Sequence, residues 1–275
     1  MVELGYPRAR ILLTNDDGAD SPGLRLLYEA VHDLGEVKII VPEASRSACG
    51  HGMTLHKPIR ARRVTLWGNI DALVIDGLPA DVVYIALSES KPSIVLSGVN
   101  MGDNTSLQSI LASATIGAII HAALNDVPGI AFSADTRSVE DFELLVKNHG
   151  NFIKKIIRGL VSLVFSKELP HQVKALSVNF PRSIRAREIA IARPAKLRFK
   201  QLAKPVKSTN NETYYRIIGI PVSTQGDNDV ATLLEGRVVI TPICIESLFF
   251  CDSNLYMHLV KLIRDRALST SQVFN

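Results

Sequence analysis

The chain has little cysteine: Cys49, Cys244 and Cys251 are the three in 275 residues, and no two form a CxxC pair. An odd, scattered set argues against a disulfide scaffold or a structural zinc site and fits a reducing compartment. His-x-x-x-His is missing too, which removes a common zinc-binding spacing. No GxxxxGK[ST] occurs, so a P-loop kinase or ATPase is not indicated, and the loop after the first apolar run reads DDGADSPG instead of GxGxxG. The longest apolar tract, around 111–124, is interrupted by Ser113, Thr115 and His121 and is too short and polar to span a bilayer. The start, MVELGYPRAR, lacks an apolar signal-peptide core, so a cytoplasmic protein is expected. With 6% aromatics there is no stacking platform for single-stranded nucleic acid, and the basic residues follow no helix-turn-helix, so nucleic acid is not the expected partner.

What remains is an ordinary globular composition, 47% hydrophobic and 21% charged, long enough to bury a large core. The formal charge of +4 favours anionic ligands without requiring a polyanion.

The chain is organised around 10–23, RILLTNDDGADSPG. Ile11-Leu12-Leu13 reads as a buried strand that ends abruptly in Thr14-Asn15-Asp16-Asp17-Gly18, with a helix from Pro22. Adjacent carboxylates at a closing strand end repel each other and lose water, a cost that a bound cation removes. The competing reading is a turn and helix cap, for which Asn, Asp and Gly are all suited.

Helical spacing over 24–34 and the apolar run 37–41 complete a βαβ unit. The stretch 55–66, basic at Arg60, Arg62 and Arg63, reads as an edge hairpin blunted by charge. Further expectations are a strand at 73–77, a helix at 79–88, a strand at 94–96, one long helix over 107–125, a strand at 129–133, a helix over 139–165 and a strand at 175–178. Near-continuous apolar strands alternating with helices predict a Rossmann-like α/β fold, a doubly wound, mostly parallel sheet covered on both faces. The chain is read as a single domain, 1–275. Within it, the basic and β-like region 182–234 is expected to protrude as an arm that packs on another subunit, with a strand at 237–241 and a terminal helix at 255–268.

In such sheets ligands sit beyond the carboxyl ends of the strands. Polar clusters fall there at 15–17, 43–52, 97–104 and 133–135. Asp16 and Asp17 offer charged oxygens, Ser47 a hydroxyl and Asn100 an amide carbonyl. An all-oxygen set selects Mg²⁺, Mn²⁺ or Ca²⁺ over zinc or copper. Without convergence in space Ser47 and Asn100 would be ordinary loop residues. Asn15, Asn104, Ser113 and Thr115, with the amides of the Gly98 to Asn104 loop, form a candidate phosphate cradle. The alternative for Ser113 and Thr115 is a bond back to their own helix.

These residues resemble the SurE (survival protein E) family. The matching stretches are ILLTNDDG at 11–18, VPEASRSACGHG at 41–52, GLPADVVYIAL at 77–87, SIVLSGVNMGDN at 93–104 and EGRVVITPI at 235–243. The resemblance implies a metal-dependent nucleotidase and phosphatase in which Asp16, Asp17, Ser47 and Asn100 carry one divalent cation, Mg²⁺ or Mn²⁺. It also implies homodimers or homotetramers, nucleoside monophosphates as substrates, and polyphosphate or other phosphomonoesters as further ones. The chain departs from the family at Ala112-Ser113-Ala114-Thr115, where a Ser-Gly-Thr follows a Tyr or His, and at His121, where a Glu is usual. The expected chemistry is phosphomonoester hydrolysis by a metal-activated water, with Asp16 and Asp17 as catalytic residues. His51 is a candidate proton donor or a structural loop residue. The competing class is a regulator that binds nucleotide through the same cation without hydrolysing it.

Overall fold

A computed structural model describes residues 9–185, 188–223 and 226–247. The terminal helix expected at 255–268, and Cys251, lie outside the described residues.

The chain begins β1 (Arg10–Thr14), α1 (Pro22–Val31), β2 (Glu36–Pro42), β3 (Ala61–Leu66), β4 (Ile70–Ile75) and α2 (Pro79–Glu89). It continues β5 (Ile94–Met101), α3 (Ser106–Ala112), α4 (Ala114–Leu124), β6 (Gly129–Ala134), α5 (Val139–Phe165) and β7 (Ala175–Phe180). Last come β8 (Ile189–Ile191), β9 (Phe199–Ser208), β10 (Thr213–Pro221), α6 (Asp229–Leu234) and β11 (Val238–Ile243).

Nine strands form one sheet in the order β3-β4-β2-β1-β5-β6-β7-β11-β8. β4 through β7 run parallel, while β3 pairs antiparallel to β4 and β11 antiparallel to β7. Strands β1, β6 and β7 are buried along almost their whole length, as a sheet with helices on both faces requires. One core packs α1 and α5 against Leu13, Leu96, Phe132 and Phe180. The other packs α2 and α4 against Leu12, Ile40, Val95 and Ala131. The strand order reverses at β1, so the crevice between β1 and β5 is the switch point where ligands collect.

Three expectations are revised. The single helix over 107–125 is two helices bent by 75°. Ser113 between them is extended (φ −75°, ψ 125°) and caps α4 by accepting a hydrogen bond from Ile116 N at 3.2 Å. The apolar pattern runs on across the break, so periodicity could not show it. The hairpin expected within 55–66 is instead β3 with β4, turning at Trp67-Gly68-Asn69. The region 182–234 divides: β8 joins the large sheet beside β11, α6 packs near β11, and β9 with β10 forms a separate two-stranded ribbon. Among the described residues no single helix is long and apolar enough to cross a membrane.

Candidate metal and phosphate site

Three loops meet over the switch point. The first follows β1. Asn15 is fully buried and closes this loop on itself: Oδ1 accepts from Gly18 N at 3.0 Å and Nδ2 donates to Gly18 O at 2.8 Å. Both halves of its amide are therefore engaged, and the structure does not bring Asn15 to the phosphate cradle where the sequence reading put it. The closed loop sets the two following carboxylates side by side.

Asp16 is 4% exposed. Burial pushes its carboxyl above the usual carboxylate range, and the Thr115 hydroxyl, donating to Oδ1 at 2.5 Å, pulls it part of the way back. Asp17 is pushed up to about 6 by burial and by the Asp16 charge, against a lowering contribution from the Met101 backbone. Its Oδ2 is buried with no hydrogen-bond partner among the described residues. Among the described residues neither carboxylate forms an ion pair with a lysine or arginine. One buried and one partly buried carboxylate side by side, with an orphaned oxygen and no ion-pair partner among the described residues, lack the compensation that buried charges need. A hard divalent cation supplies it, and oxygen donors are what such a cation takes. The residues present fit the implied ion.

The second loop, after β2, is tied down at both ends. Arg46 N donates to Asp16 O at 2.7 Å, and Gly50 N donates to Ala112 O at 2.9 Å. Gly117 of α4 lies so close that a Cβ there would stand 2.4 Å from Gly50 O. Between these anchors the Ser47 hydroxyl is exposed and lies 3.0 Å from that of Ser45.

The third loop ends β5. Gly98 has φ +121°, and a Cβ on it would fall 2.2 Å from Phe132 O, so only glycine lets the strand turn here against β6. Asn100 Nδ2 donates to Gly102 O at 2.7 Å, which fixes the amide and leaves Oδ1 with no donor among the described residues. Asn104 is held by its N–H to Asn179 Oδ1 at 2.7 Å and by Nδ2 to Ser133 Oγ at 2.8 Å.

Asp16, Ser47, Asn100, Asn104 and Ser113 line one cavity of about 220 Å³, together with Asp103. Asn15, Asp17 and Thr115 are not among its lining residues. Thr115, read from the sequence as a phosphate ligand, is fully buried and points its hydroxyl at Asp16, a pairing across 99 residues that no local signal announces. Ser113 lines the cavity while capping its own helix. Among the described residues no three His, Cys, Asp or Glu side chains are grouped as a metal cluster. The arrangement is instead two adjacent carboxylates with neutral oxygens nearby.

His51 does not line this cavity. Its Nε2 lies 3.1 Å from His121 Nδ1, and His121 packs under Tyr84 with ring centroids 3.9 Å apart. Burial holds both imidazoles below their ordinary range, and the neighbouring ring adds to this for His121. The pair fastens the second loop to α4, the structural alternative for His51.

Sequence reasoning gave no role to two residues, Asp103 and Asp229. Asp103 lines the cavity and pairs through Oδ2 with the nearly buried Arg198 at 3.4 Å. Asp229, fully buried, accepts from Ser106 N at 2.7 Å and Ala195 N at 2.8 Å, binding the start of α3 to the far end of the chain. Asp103 stood inside the quoted SGVNMGDN stretch, whereas Asp229 carried no more than a turn signal.

A sequence model of the family described as "Survival protein SurE" matches residues 11–202. Curated relatives include the "5'-nucleotidase SurE" of Hyperthermus butylicus, 44% identical over 86% of this chain and 85% of the relative. The "5'-nucleotidase SurE" of Thermofilum pendens is 41% identical over 93% of this chain and 98% of its own. Among solved structures, the SurE protein from Aquifex aeolicus superposes with a TM-score of 0.73 at 27% identity, covering 93% of this chain and 99% of the other.

Proposed function

The chain belongs to the SurE family, and from that premise we propose that it is a divalent-metal-dependent phosphomonoesterase acting on nucleoside monophosphates. The observation that carries the reading is the adjacent Asp16–Asp17 pair, Asp16 buried and Asp17 partly so, with Asp17 Oδ2 unpartnered and no ion pair to either carboxylate among the described residues. Asp16 and Asp17 hold one Mg²⁺ or Mn²⁺, and Ser47 Oγ and Asn100 Oδ1 complete the protein's share of its oxygen shell. When bound, such an ion lowers the pKa of a coordinated water and offsets charge on the phosphoryl oxygens.

The other steps belong to side chains of the chain. Thr115 Oγ1 holds Asp16 in one orientation, and the Asn100 Nδ2 bond to Gly102 O keeps its carbonyl turned outward. The Ser113 hydroxyl and Asn104, at the wall of the same cavity, hold the phosphate with loop amides. Donors fixed before the reaction stabilise developing charge without reorganising. Asn15 acts on the loop shape and not on the phosphate. The exposed β9–β10 ribbon is the arm through which copies of the chain associate as dimers or tetramers.

The direct test is phosphate release from a panel of nucleoside 5′- and 3′-monophosphates, polyphosphate and p-nitrophenyl phosphate, with Mg²⁺, Mn²⁺ or chelator. Metal-dependent release from a mononucleotide supports the reading. Tight nucleotide binding with no release under any metal replaces it with the non-catalytic regulator.

A further inference from the structure

The two histidines beside the second loop take no part in the proposed hydrolysis, yet their hydrogen bonds have a direction. Asn125 Nδ2 donates to His121 O at 2.9 Å, which fixes the orientation of its amide, and the same nitrogen lies 3.4 Å from His121 Nε2. An amide nitrogen only donates, so Nε2 is the bare nitrogen of the His121 ring and Nδ1 carries the hydrogen. That hydrogen faces His51 Nε2, 3.1 Å away, so His51 is bare at Nε2 and carries its own hydrogen on Nδ1. The series Asn125 to His121 to His51 runs one way, and it is complete with both imidazoles neutral.

An added proton has two places to go. On His51 it enters Nε2 and meets the Nδ1–H of His121 head-on, which breaks the bond between the rings. On His121 it enters Nε2 and faces the Asn125 donor, while the bond from Nδ1 to His51 survives. Burial holds both rings below the ordinary imidazole value of 6.5, and the His51 ring adds to this for His121. Few other charges face the pair. From α2, Asp81 favours a proton on His121, although its carboxylate already accepts from Thr54 N and Leu78 N, and Tyr84 lies over the His121 ring. Glu89 at the end of α2 is paired with Lys38. No other titratable side chain lies on α4, and α3, β5, β6 and β7, which pack against it, carry none. Glu246, beyond β11, acts on Lys174. The second loop adds Arg46 and Cys49, with Asp16 beneath it.

The two rings belong to opposite halves of the proposed metal site. His51 follows Ser47 on the second loop, and the Ser47 hydroxyl has a hydrogen bond to that of Ser45 alone, so the loop backbone sets its place. His121 stands on α4, whose first turn carries Thr115, the partner of Asp16. We infer that His51 and His121 are a positioning pair that acts as a proton-sensitive latch: while neutral they hold Ser47 over the Asp16–Asp17 pair, and a proton on His51 releases it. The inference rests on the metal-site reading and deepens it by adding control of that site. Neither ring touches the ion or the substrate; both act through the backbone that carries Ser47.

The test is Mn²⁺ affinity, read by electron paramagnetic resonance at about pH 7.5 and about pH 5.5, on either side of the imidazole value. It compares the wild type with His51→Gln and His51→Leu, each checked by circular dichroism. The glutamine amide reaches the place of Nε2, accepts from His121 Nδ1–H and takes up no proton, whereas leucine breaks the contact at either pH. Protonation of the acidic pair is common to all three proteins and cancels in the comparison. Near pH 7.5 the wild type and His51→Gln should bind within about twofold of each other, and His51→Leu at least about tenfold more weakly. On acidification the wild type should lose at least about fivefold more affinity than His51→Gln and approach His51→Leu. Parallel losses in the wild type and His51→Gln, or leucine binding as tightly as histidine near pH 7.5, overturn the latch. Should the wild type bind no Mn²⁺ at either pH, the metal site itself is refuted, and the latch is then judged on the metal-free protein by deuterium exchange of 43–52, corrected for the intrinsic effect of pH. Extra exchange at low pH in the wild type that His51→Gln lacks supports it, and equal exchange rejects it.

Discussion

The loops above β1 and β5 and the ribbon of β9 and β10 break opposite rules. In the loops, polar groups are buried: Asp16, Asn15, Thr115 and Asn104 are all under 10% exposed, and one carboxylate oxygen has no partner. In the ribbon, apolar groups are bare: Tyr215 and Ile217 are each 64% exposed, and Val206 54%. A two-stranded ribbon is marginal alone in water, and an exposed apolar patch signals an interaction surface. Each region is incomplete within one chain. Under the proposed reading a cation and a phosphate satisfy the loops, and a second copy of the chain covers the ribbon. The kind of group left unsatisfied tells which sort of partner each region awaits.

The sharpest way to break the comparison is at the acidic pair. Asp16→Asn removes one charge and one oxygen donor, and divalent-dependent phosphate release should fall by more than about 100-fold with the fold intact by circular dichroism. A variant that retains turnover would show that the buried carboxylates are structural. Thr115→Val tests the support behind the pair. Losing the 2.5 Å bond to Asp16 should weaken metal affinity or activity about 10–100-fold, and Thr115→Ser should restore most of it. Equal behaviour of Val and Ser would mean that the hydroxyl does nothing for Asp16.

On the other side, Tyr215→Asp with Ile217→Asp should shift light-scattering mass toward monomer while secondary structure stays unchanged. An unaltered assembly would place the subunit contact elsewhere.

A smaller effect follows from titration. The Asp17 carboxyl is raised from 3.8 to about 6, so between those values the folded protein binds more protons than the unfolded chain. The contribution of this group to metal-free stability is therefore greatest below about 4, declines as pH rises, and is at its least above about 6. Asp17→Asn removes the penalty. Without metal, its melting temperature should exceed that of the wild type at pH 7, on the order of 3 °C, and converge with it at pH 4. Saturating Mn²⁺ should reverse the order at pH 7, because it stabilises only a chain that can bind it.

The fold was largely legible because its signals are local and periodic. The helix expected over 139–165 is α5 to the residue, since Phe142, Leu145, Ile153, Ile156 and Leu160 keep one buried face throughout. The break at Ser113 was not legible, because the flanking residues remain apolar across it. The loops that carry the site could be placed from the strand pattern alone. What individual side chains do in them could not, since Thr115 faces Asp16 and Asn15 faces Gly18 only once distant segments have met. β9 and β10, within the region expected to protrude, form a ribbon apart from the main sheet, but nothing in the short, exposed run of β8 marked it as joining that sheet.

The most direct measurement is a Mn²⁺ titration followed by electron paramagnetic resonance on wild type and Asn100→Leu. Asn100 reaches the cavity from a different loop than the acidic pair. One Mn²⁺ per chain in the wild type, bound at least about 100-fold more weakly by Asn100→Leu, is the predicted result. Equal affinity in the two proteins would contradict the shared oxygen site on which the proposed hydrolysis rests.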